Sequence, residues 1–256
     1  MIEIKNLYKS LSGHGVLEDL NLRINTGESL AIIGRSGCGK SVLLKHMIGI
    51  MRPDSGKVIV DGVDITKVAN KEMNKIRMDY GMLFQGAALF DSLNVLENIG
   101  FQLIEYTDMT MTEVKNRVAE CLDMVGLYGV EEAKPAELSG GMKKRVGLAR
   151  AISMYPKIIL FDEPTTGLDP IMADIINDLI RYLHDKLKTT SVTVTHDMKS
   201  AYKIADRIAM LYKGKIIANG TPDEIENSED PVVKQFITGN AKGPITFGQI
   251  PGVDEE

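Results

Sequence analysis

The segment that most constrains this chain is a short apolar run followed by a glycine-rich loop. Residues 29–34 read SLAIIG, which is typical of a buried strand, and residues 34–41 read GRSGCGKS. Residues 41–50 follow with a helical pattern. Glycines let a loop direct several backbone N–H groups at one point, and a helix N-terminus adds unpaired N–H groups there. The spacing predicts a phosphate-binding loop; the alternative is a glycine-rich turn with an incidental lysine.

Each residue type in this loop has a chemical reason to be there. Lys40 supplies a full positive charge for the β- and γ-phosphates of a nucleotide, and the Ser41 hydroxyl can ligate Mg²⁺. Cys38 lies where a helix N-terminus can lower a thiol pKa, so redox sensitivity is conceivable, although a small side chain at a variable loop position is the favoured interpretation. The predicted nucleotide-binding residues here are Gly34, Arg35, Ser36, Gly37, Cys38, Gly39, Lys40, Ser41 and Val42.

Further apolar runs alternate with helical patterns along the chain. Residues 57–61, 80–84, 157–161 and 191–195 are predicted strands, and residues 112–125 and 171–187 are predicted helices. Alternation of this kind predicts an α/β fold with a mostly parallel sheet and helices on both faces. The Met-rich helical stretch between two of these strands predicts an inserted subdomain at about residues 86–155.

An acidic pair follows one of the apolar runs. Asp162 and Glu163 come directly after KIILF, so both carboxylates sit at the end of a predicted buried strand. From such a rigid mount Asp162 can reach a metal ion through water, and Glu163 can orient or deprotonate a water that attacks the γ-phosphate. A solvated strand end is the alternative, and the glycine loop earlier in the chain makes it less favoured.

Composition limits the possible partners. The net charge of -5 is a poor match for nucleic acid, which usually requires a basic face. Two cysteines do not make a disulfide framework, so a reducing compartment is expected. The first ten residues lack the apolar stretch of a signal peptide, and no apolar run reaches the roughly 18 residues of a membrane helix. We therefore expect another chain to supply any membrane span.

The ordered set of motifs resembles the ATP-binding cassette (ABC) ATPases over about residues 1–225. After the glycine loop come Gln85, then LSGGM at residues 138–142, LFDEP at 160–164, TGLD at 166–169 and His196. The resemblance implies a P-loop NTPase fold with an N-terminal antiparallel β part, a mostly parallel core sheet and the inserted helical subdomain. It also implies ATP and Mg²⁺ as cofactors. We expect the domain to cover residues 1–238, with an extended or disordered tail at 239–256 that can contact a second subunit.

The same resemblance implies roles for individual residues. Glu163, His196 and Gln85 correspond to catalytic positions, and Ser41, Gln85 and Asp162 to the magnesium site. Ser139, Gly140 and Gly141 correspond to a helix tip that binds the γ-phosphate held by the opposite subunit, and Asp169 to a contact with the partner's phosphate loop. Two copies would then pair head to tail. An ordinary capped helix is the alternative for residues 139–141 taken alone.

Three further stretches narrow the resemblance. Residues 39–45, the run from 82 to 98, and the ending at 231–244 look like the ATPases of Mce-type lipid transporters, the maintenance-of-lipid-asymmetry class. This implies phospholipid or related lipid transport, a permease pair, a substrate-binding protein with an Mce domain, and a peripheral position on the cytoplasmic face of the inner membrane. In the tail, Phe236, Ile237 and Phe247 are candidate anchors on a second subunit.

Several alternatives stay open from the sequence. The generic motifs fit an ABC importer or exporter for another substrate, and less well a soluble ABC protein that acts on nucleic acid or ribosomes. The basic run at residues 143–145 reads as a solvated helix face, with contacts to nucleotide phosphate or acidic lipid headgroups as the other reading.

One departure from the family pattern generates a prediction. Leu11 occupies the position at which relatives place an aromatic residue that stacks on the adenine, and such stacking contributes about 1–3 kcal/mol per base in comparable sites. We expect weaker or less base-selective nucleotide binding, unless Tyr8 or His14 substitutes for the missing ring. Steady-state rates with ATP and with GTP provide the measurement: similar rates are expected, and strong selectivity for ATP would contradict the prediction.

Overall fold

Two β-sheets organise residues 1–246, the part of the chain that the computed structural model describes. One sheet has four strands in the order β2-β1-β4-β5, and the other has six in the order β10-β9-β3-β8-β7-β6. The strands are β1 (Ile2–Leu11), β2 (His14–Ile24), β3 (Ser29–Ile33), β4 (Ser55–Val60), β5 (Val63–Asp64), β6 (Tyr80–Leu83), β7 (Ile158–Asp162), β8 (Thr190–Thr195), β9 (Arg207–Tyr212) and β10 (Lys215–Gly220).

The larger sheet is parallel except at one edge. Strands β9, β3, β8, β7 and β6 run parallel, and only β10 pairs antiparallel, with β9. Every residue of β3 and β8 is buried, as expected for strands covered on both faces. The smaller sheet is antiparallel throughout. Both features confirm the predicted fold class.

Some helices pack on the larger sheet, and others form a separate helical layer. They are α1 (Lys40–Met47), α2 (Asn70–Arg77), α3 (Val95–Tyr106), α4 (Met111–Met124), α5 (Gly140–Ile152), α6 (Pro170–Leu187), α7 (Met198–Ile204), α8 (Pro222–Glu226) and α9 (Pro231–Thr238), with a 3₁₀ turn at Pro135–Glu137. Helix α1 ends earlier than the predicted residue 50, because Gly49 takes the left-handed conformation (φ 69°) that commonly ends a helix.

Helices α3, α4 and α5 fall within the stretch predicted as the helical insertion. Asn94 and Thr110 each close a capping box at the start of α3 and α4, which fixes where those helices begin. Their apolar faces share one buried cluster with Phe161 of β7 and Leu83 of β6. The helical layer therefore packs directly against strands β6 and β7, and β7 carries the acidic pair at its end.

The segment after α9 has no helix or strand in residues 240–246, but it is held against the rest of the chain. The Gln235 amide donates to the carbonyls of Asn240 (3.1 Å) and Ile245 (3.1 Å), and its oxygen accepts from the Ile245 N–H (2.6 Å). Ile245 is 4% exposed in an apolar cluster that Phe236 also contacts. A single buried glutamine thus holds residues 240–246 against the chain's own core. Ile237, the second candidate anchor, packs against the same cluster, and the third, Phe247, lies outside the described residues.

Candidate functional site

The glycine loop between β3 and α1 has the backbone geometry that the sequence predicts. Gly39 is the N-cap of α1, with φ 107°. Gly34 has φ 154°, and a Cβ there would lie 2.5 Å from the carbonyl oxygen of Leu211. Only glycine fits such a close approach of two backbones. The loop therefore curves tightly at the N-terminus of α1, where free N–H groups favour an anion.

Lys40 crosses the loop that it follows. Its ammonium group donates to the carbonyls of Gly34 (2.8 Å) and Arg35 (3.1 Å) and lies 3.3 Å from Glu163 Oε1. The side chain is only 5% exposed. A buried ammonium held by carbonyls and one carboxylate is a cation kept in place beside the site where an anion would enter.

Ser41 and Asp162 form an oxygen-rich pair at the base of the loop. The Ser41 hydroxyl donates to Asp162 Oδ1 at 2.8 Å. Within residues 1–246 no group of three or more His, Cys, Asp or Glu side chains is placed to hold a metal ion. Mg²⁺ typically keeps several waters and binds through one or two carboxylates together with substrate phosphates. The donor set fits a magnesium ion that is completed by a nucleotide.

Glu163 sits in a strained backbone conformation. Its φ is 48°, and its N–H donates to the Val194 carbonyl of β8 at 2.9 Å. The carboxylate is 2.8 Å from His196 Nδ1 and accepts from the Thr166 hydroxyl at 3.3 Å. A left-handed non-glycine residue held by neighbouring strands is a feature that clusters at functional sites.

A cleft of about 380 Å³ connects these elements. It brings together predicted residues from four separate parts of the chain, and it adds Leu11 and Val16 from the β1–β2 hairpin. Val16 is a residue that the sequence analysis missed; the one available signal was its place in the strand following Leu11. The lining consists of Leu11, Val16, Ser36, Gly37, Gly39, Lys40, Ser41, Val42, Gln85, Glu163 and His196.

Other predicted residues lie away from this cleft. Ser139 caps α5, accepting from the Met142 N–H at 3.2 Å, and Asp169 caps α6, accepting from the N–H groups of Ile171 (3.1 Å) and Met172 (3.0 Å). The cleft lining includes none of the four residues Ser139, Gly140, Gly141 and Asp169. One chain therefore leaves the tip of α5 outside its own candidate site.

Arg35 and Cys38 face a second cavity on the other side of the loop, about 320 Å³ in volume and bordered by Tyr212, Lys213 and Thr246. Arg35 donates to the Thr246 carbonyl at 3.2 Å. Burial raises the pKa of the Cys38 thiol, and the nearby Lys40 charge opposes this only in part. The direction is opposite to the lowering that a helix N-terminus alone would give, and it agrees with the favoured interpretation of Cys38 as a small side chain in the loop.

The basic run at residues 143–145 is not the solvated helix face that the sequence analysis favoured. Lys144 is 4% exposed, and its ammonium group donates to the carbonyl of Gln85 and to that of Glu163, the latter at 3.4 Å. Arg145 donates to the Gly126 carbonyl at 3.4 Å. Sequence alone does not distinguish a buried lysine from a solvated one on an amphipathic helix, because the distinction depends on which loop packs over it.

The fold and the site define a class of protein. A parallel sheet, a glycine loop leading into a helix, a buried lysine beside the Glu163 carboxylate and an aspartate paired with the loop serine are the parts of a P-loop nucleoside-triphosphate hydrolase. The helical layer between β6 and β7 and the antiparallel sheet at the N-terminus distinguish the chain within that class.

Comparisons with known proteins define the family. Residues 17–166 match the family model described as "ABC transporter". The chain is 42% identical over 248 residues to "Probable ribonucleotide transport ATP-binding protein mkl" of Mycobacterium leprae, covering 97% of this chain and 72% of that protein. It is 40% identical over 247 residues to "Intermembrane phospholipid transport system ATP-binding protein MlaF" of Haemophilus influenzae, covering 96% and 94%. The chain belongs to the ABC transporter family and is an ABC ATPase.

A solved structure supports the same assignment. The "Dimeric structure of a post-hydrolysis state of the ATP-binding cassette MJ0796 bound to ADP and Pi" superimposes with a TM-score of 0.80 at 34% identity, covering 87% of this chain and 99% of that one. That cassette is a dimer with hydrolysis products bound. At this level of identity both the fold and the family are shared.

The raised thiol pKa of Cys38 gives a prediction. A higher pKa leaves less thiolate at a given pH, and the thiolate is the species that reacts with iodoacetamide. In a Cys121→Ser variant, which isolates Cys38, alkylation at pH 8 is expected to be slower in the native protein than in the same protein unfolded in urea. Labelling at least as fast in the native protein would contradict the burial effect.

Proposed function

We propose that this ATPase is the energy-coupling subunit of a transporter that moves phospholipids or related lipids between membranes. The observation that carries the proposal is the likeness to MlaF, named as part of an intermembrane phospholipid transport system, over nearly the full length of both chains. The partners proposed with it are an integral membrane permease pair and a substrate-binding protein with an Mce domain. No helix in residues 1–246 is long and apolar enough to cross a membrane. The proposed location is peripheral, on the cytoplasmic face of the inner membrane.

An exposed aromatic surface next to the cleft supports a protein partner there. Phe84 and Phe90 flank Gln85 along the chain and are 38% and 48% exposed. Phe90 packs its ring 5.3 Å from that of Phe101 on α3, where Ile104 and Tyr106 are exposed as well. Aromatic residues are enriched in protein–protein interfaces, and a group of them exposed together commonly marks an interaction site. In this proposal the permease contacts this surface, beside Gln85 and the helical layer.

For hydrolysis we propose in-line attack of a water molecule on the γ-phosphate of ATP. Glu163 orients or deprotonates that water, His196 positions the Glu163 carboxylate and contacts the γ-phosphate, and Lys40 stabilises the developing charge. A magnesium ion held by Ser41, Asp162 and Gln85 would neutralise phosphate charge. The contacts that support this proposal are the His196–Glu163 pair at 2.8 Å and the Lys40–Glu163 pair at 3.3 Å.

The proposal includes a head-to-tail dimer. Ser139, Gly140 and Gly141 lie at the N-terminus of α5, where free N–H groups favour an anion, and they do not line the cleft of their own chain. Their proposed ligand is the γ-phosphate held by the other copy, with Asp169 contacting the other copy's glycine loop. The dimeric state of the similar ADP-bound cassette supports this arrangement.

The role proposed for Glu163 predicts a separation of binding from turnover. Glu163→Gln keeps the size of the side chain but removes the base, and loss of a positioned general base lowers rates by about 100-fold or more. ATPase turnover should fall by that amount, whereas the Kd for Mg-ATP should stay close to that of the wild type. Glu229→Gln, in an exposed loop, serves as the matched control and should retain full activity. Wild-type turnover in Glu163→Gln would refute the role.

The lipid assignment is tested on the assembly. The tagged chain, purified from its native membranes in mild detergent, is expected to retain an integral membrane protein and bound phospholipid that mass spectrometry detects. A complex that instead carries ribonucleotide as its cargo would favour the activity named for the mycobacterial relative. Recovery without any membrane protein would contradict the transporter role itself.

A further inference from the structure

Lys144 contacts two parts of the site without lining the cleft. It lies in the first half of α5, and its ammonium group donates to the carbonyl of Gln85 and to the carbonyl of Glu163 (3.4 Å). Burial lowers the pKa of Lys144, and the carboxylates of Asp162 and Glu163 counteract that effect. Burying a cationic side chain costs desolvation free energy, which hydrogen bonds to two carbonyls offset only in part. Stability alone therefore does not account for this lysine.

A second cation of the same helix holds the next residues. Arg150 donates to the carbonyls of Ala87 (2.6 Å) and Ala88 (2.7 Å). Both alanines have positive φ, 60° and 47°, a conformation that residues with a Cβ adopt at a cost. Two side chains of α5 thus satisfy three carbonyls of one strained turn, residues 85–88, and Lys144 adds the carbonyl of Glu163.

We propose that Lys144 is a positioning residue for hydrolysis: together with Arg150 it clamps the turn at residues 85–88 to α5 and ties the backbone of Glu163 to the same helix. This inference deepens the proposed function, on which it rests. Both hydrogen bonds of Lys144 end on backbone carbonyls, so it acts through Gln85 and Glu163 and does not contact the substrate.

The clamp connects the tip of α5 to the acidic pair. Helix α5 starts at Gly140, beside the cap residue Ser139, and Lys144 follows about one turn later. A helix of this length moves as a rigid unit, so a displacement of its tip shifts the anchor points of Gln85 and Glu163 with it. In the proposed dimer, the nucleotide that meets the tip in one site therefore influences the carboxylate in the other site.

The experiment compares Lys144→Met and Lys144→Gln with the wild-type chain and with Lys115→Met, which removes an exposed lysine from α4. For each protein the Kd for Mg-ATP, the kcat of ATP hydrolysis and the thermal unfolding midpoint are measured. In Lys144→Met we expect kcat to fall about tenfold or more and the Kd to change less than about threefold, since only the step that needs Gln85 and Glu163 in place is affected. The midpoint should fall by only a few degrees, because removal of the buried charge offsets part of the cost of leaving two carbonyls without a donor.

Lys144→Gln keeps a neutral donor group of shorter reach, so its kcat should lie between those of Lys144→Met and the wild type. If Lys144→Met folds poorly, Lys144→Gln replaces it in the comparison. Lys115→Met should match the wild type. A smaller loss of kcat in Lys144→Met would overturn the inference, and so would a loss of kcat, Mg-ATP binding and thermal midpoint together in both variants, which indicates a purely structural lysine. A wild-type chain that does not hydrolyse Mg-ATP would overturn the proposed function itself, and this inference with it.

Discussion

The parallel pairing of β3, β8 and β7 is the constraint on which the site depends. Ile33 of β3 pairs with Thr195 of β8, and Asp162 of β7 pairs with Val194 of β8, so these strands end at one edge of the sheet. Whatever follows each strand is then delivered to the same place: the glycine loop, the acidic pair and His196. Carboxyl ends of parallel strands are where ligands bind in open α/β sheets, for this geometric reason.

Buried charge is the second organising feature. Lys40 and Lys144 are both nearly inaccessible, and both direct their ammonium groups at the segment that contains Glu163. Burying a lysine in this way adds little to stability, because the cost of desolvation offsets the attraction. What the arrangement provides is position: Lys40 approaches the Glu163 carboxylate and Lys144 its backbone carbonyl, so one residue is held from two sides.

The helical layer connects the site with surfaces that lie outside it. Its apolar core is continuous with Phe161 of β7, and α5 carries both the capped tip at Ser139 and the cations that hold residues 85–88. An aromatic surface around Phe90 is exposed on the same layer. Contacts at the tip, at that surface and at the acidic pair therefore share one packed unit, which is the physical condition for coupling among them.

Most of the secondary-structure elements and the chemical groups that line the cleft are predictable from the sequence. The spacing of the glycine loop reflects local backbone conformation, which neighbouring residues reveal. The apolar runs that end in carboxylates reflect strands buried on both faces, and their composition reveals that burial. Four other features follow from tertiary packing: Lys144 is buried, Gln235 holds residues 240–246 in place, Val16 borders the cleft, and the pKa of the Cys38 thiol is raised. Each of these depends on which distant segment packs against the residue, and desolvation by a distant segment leaves no periodic pattern in the chain.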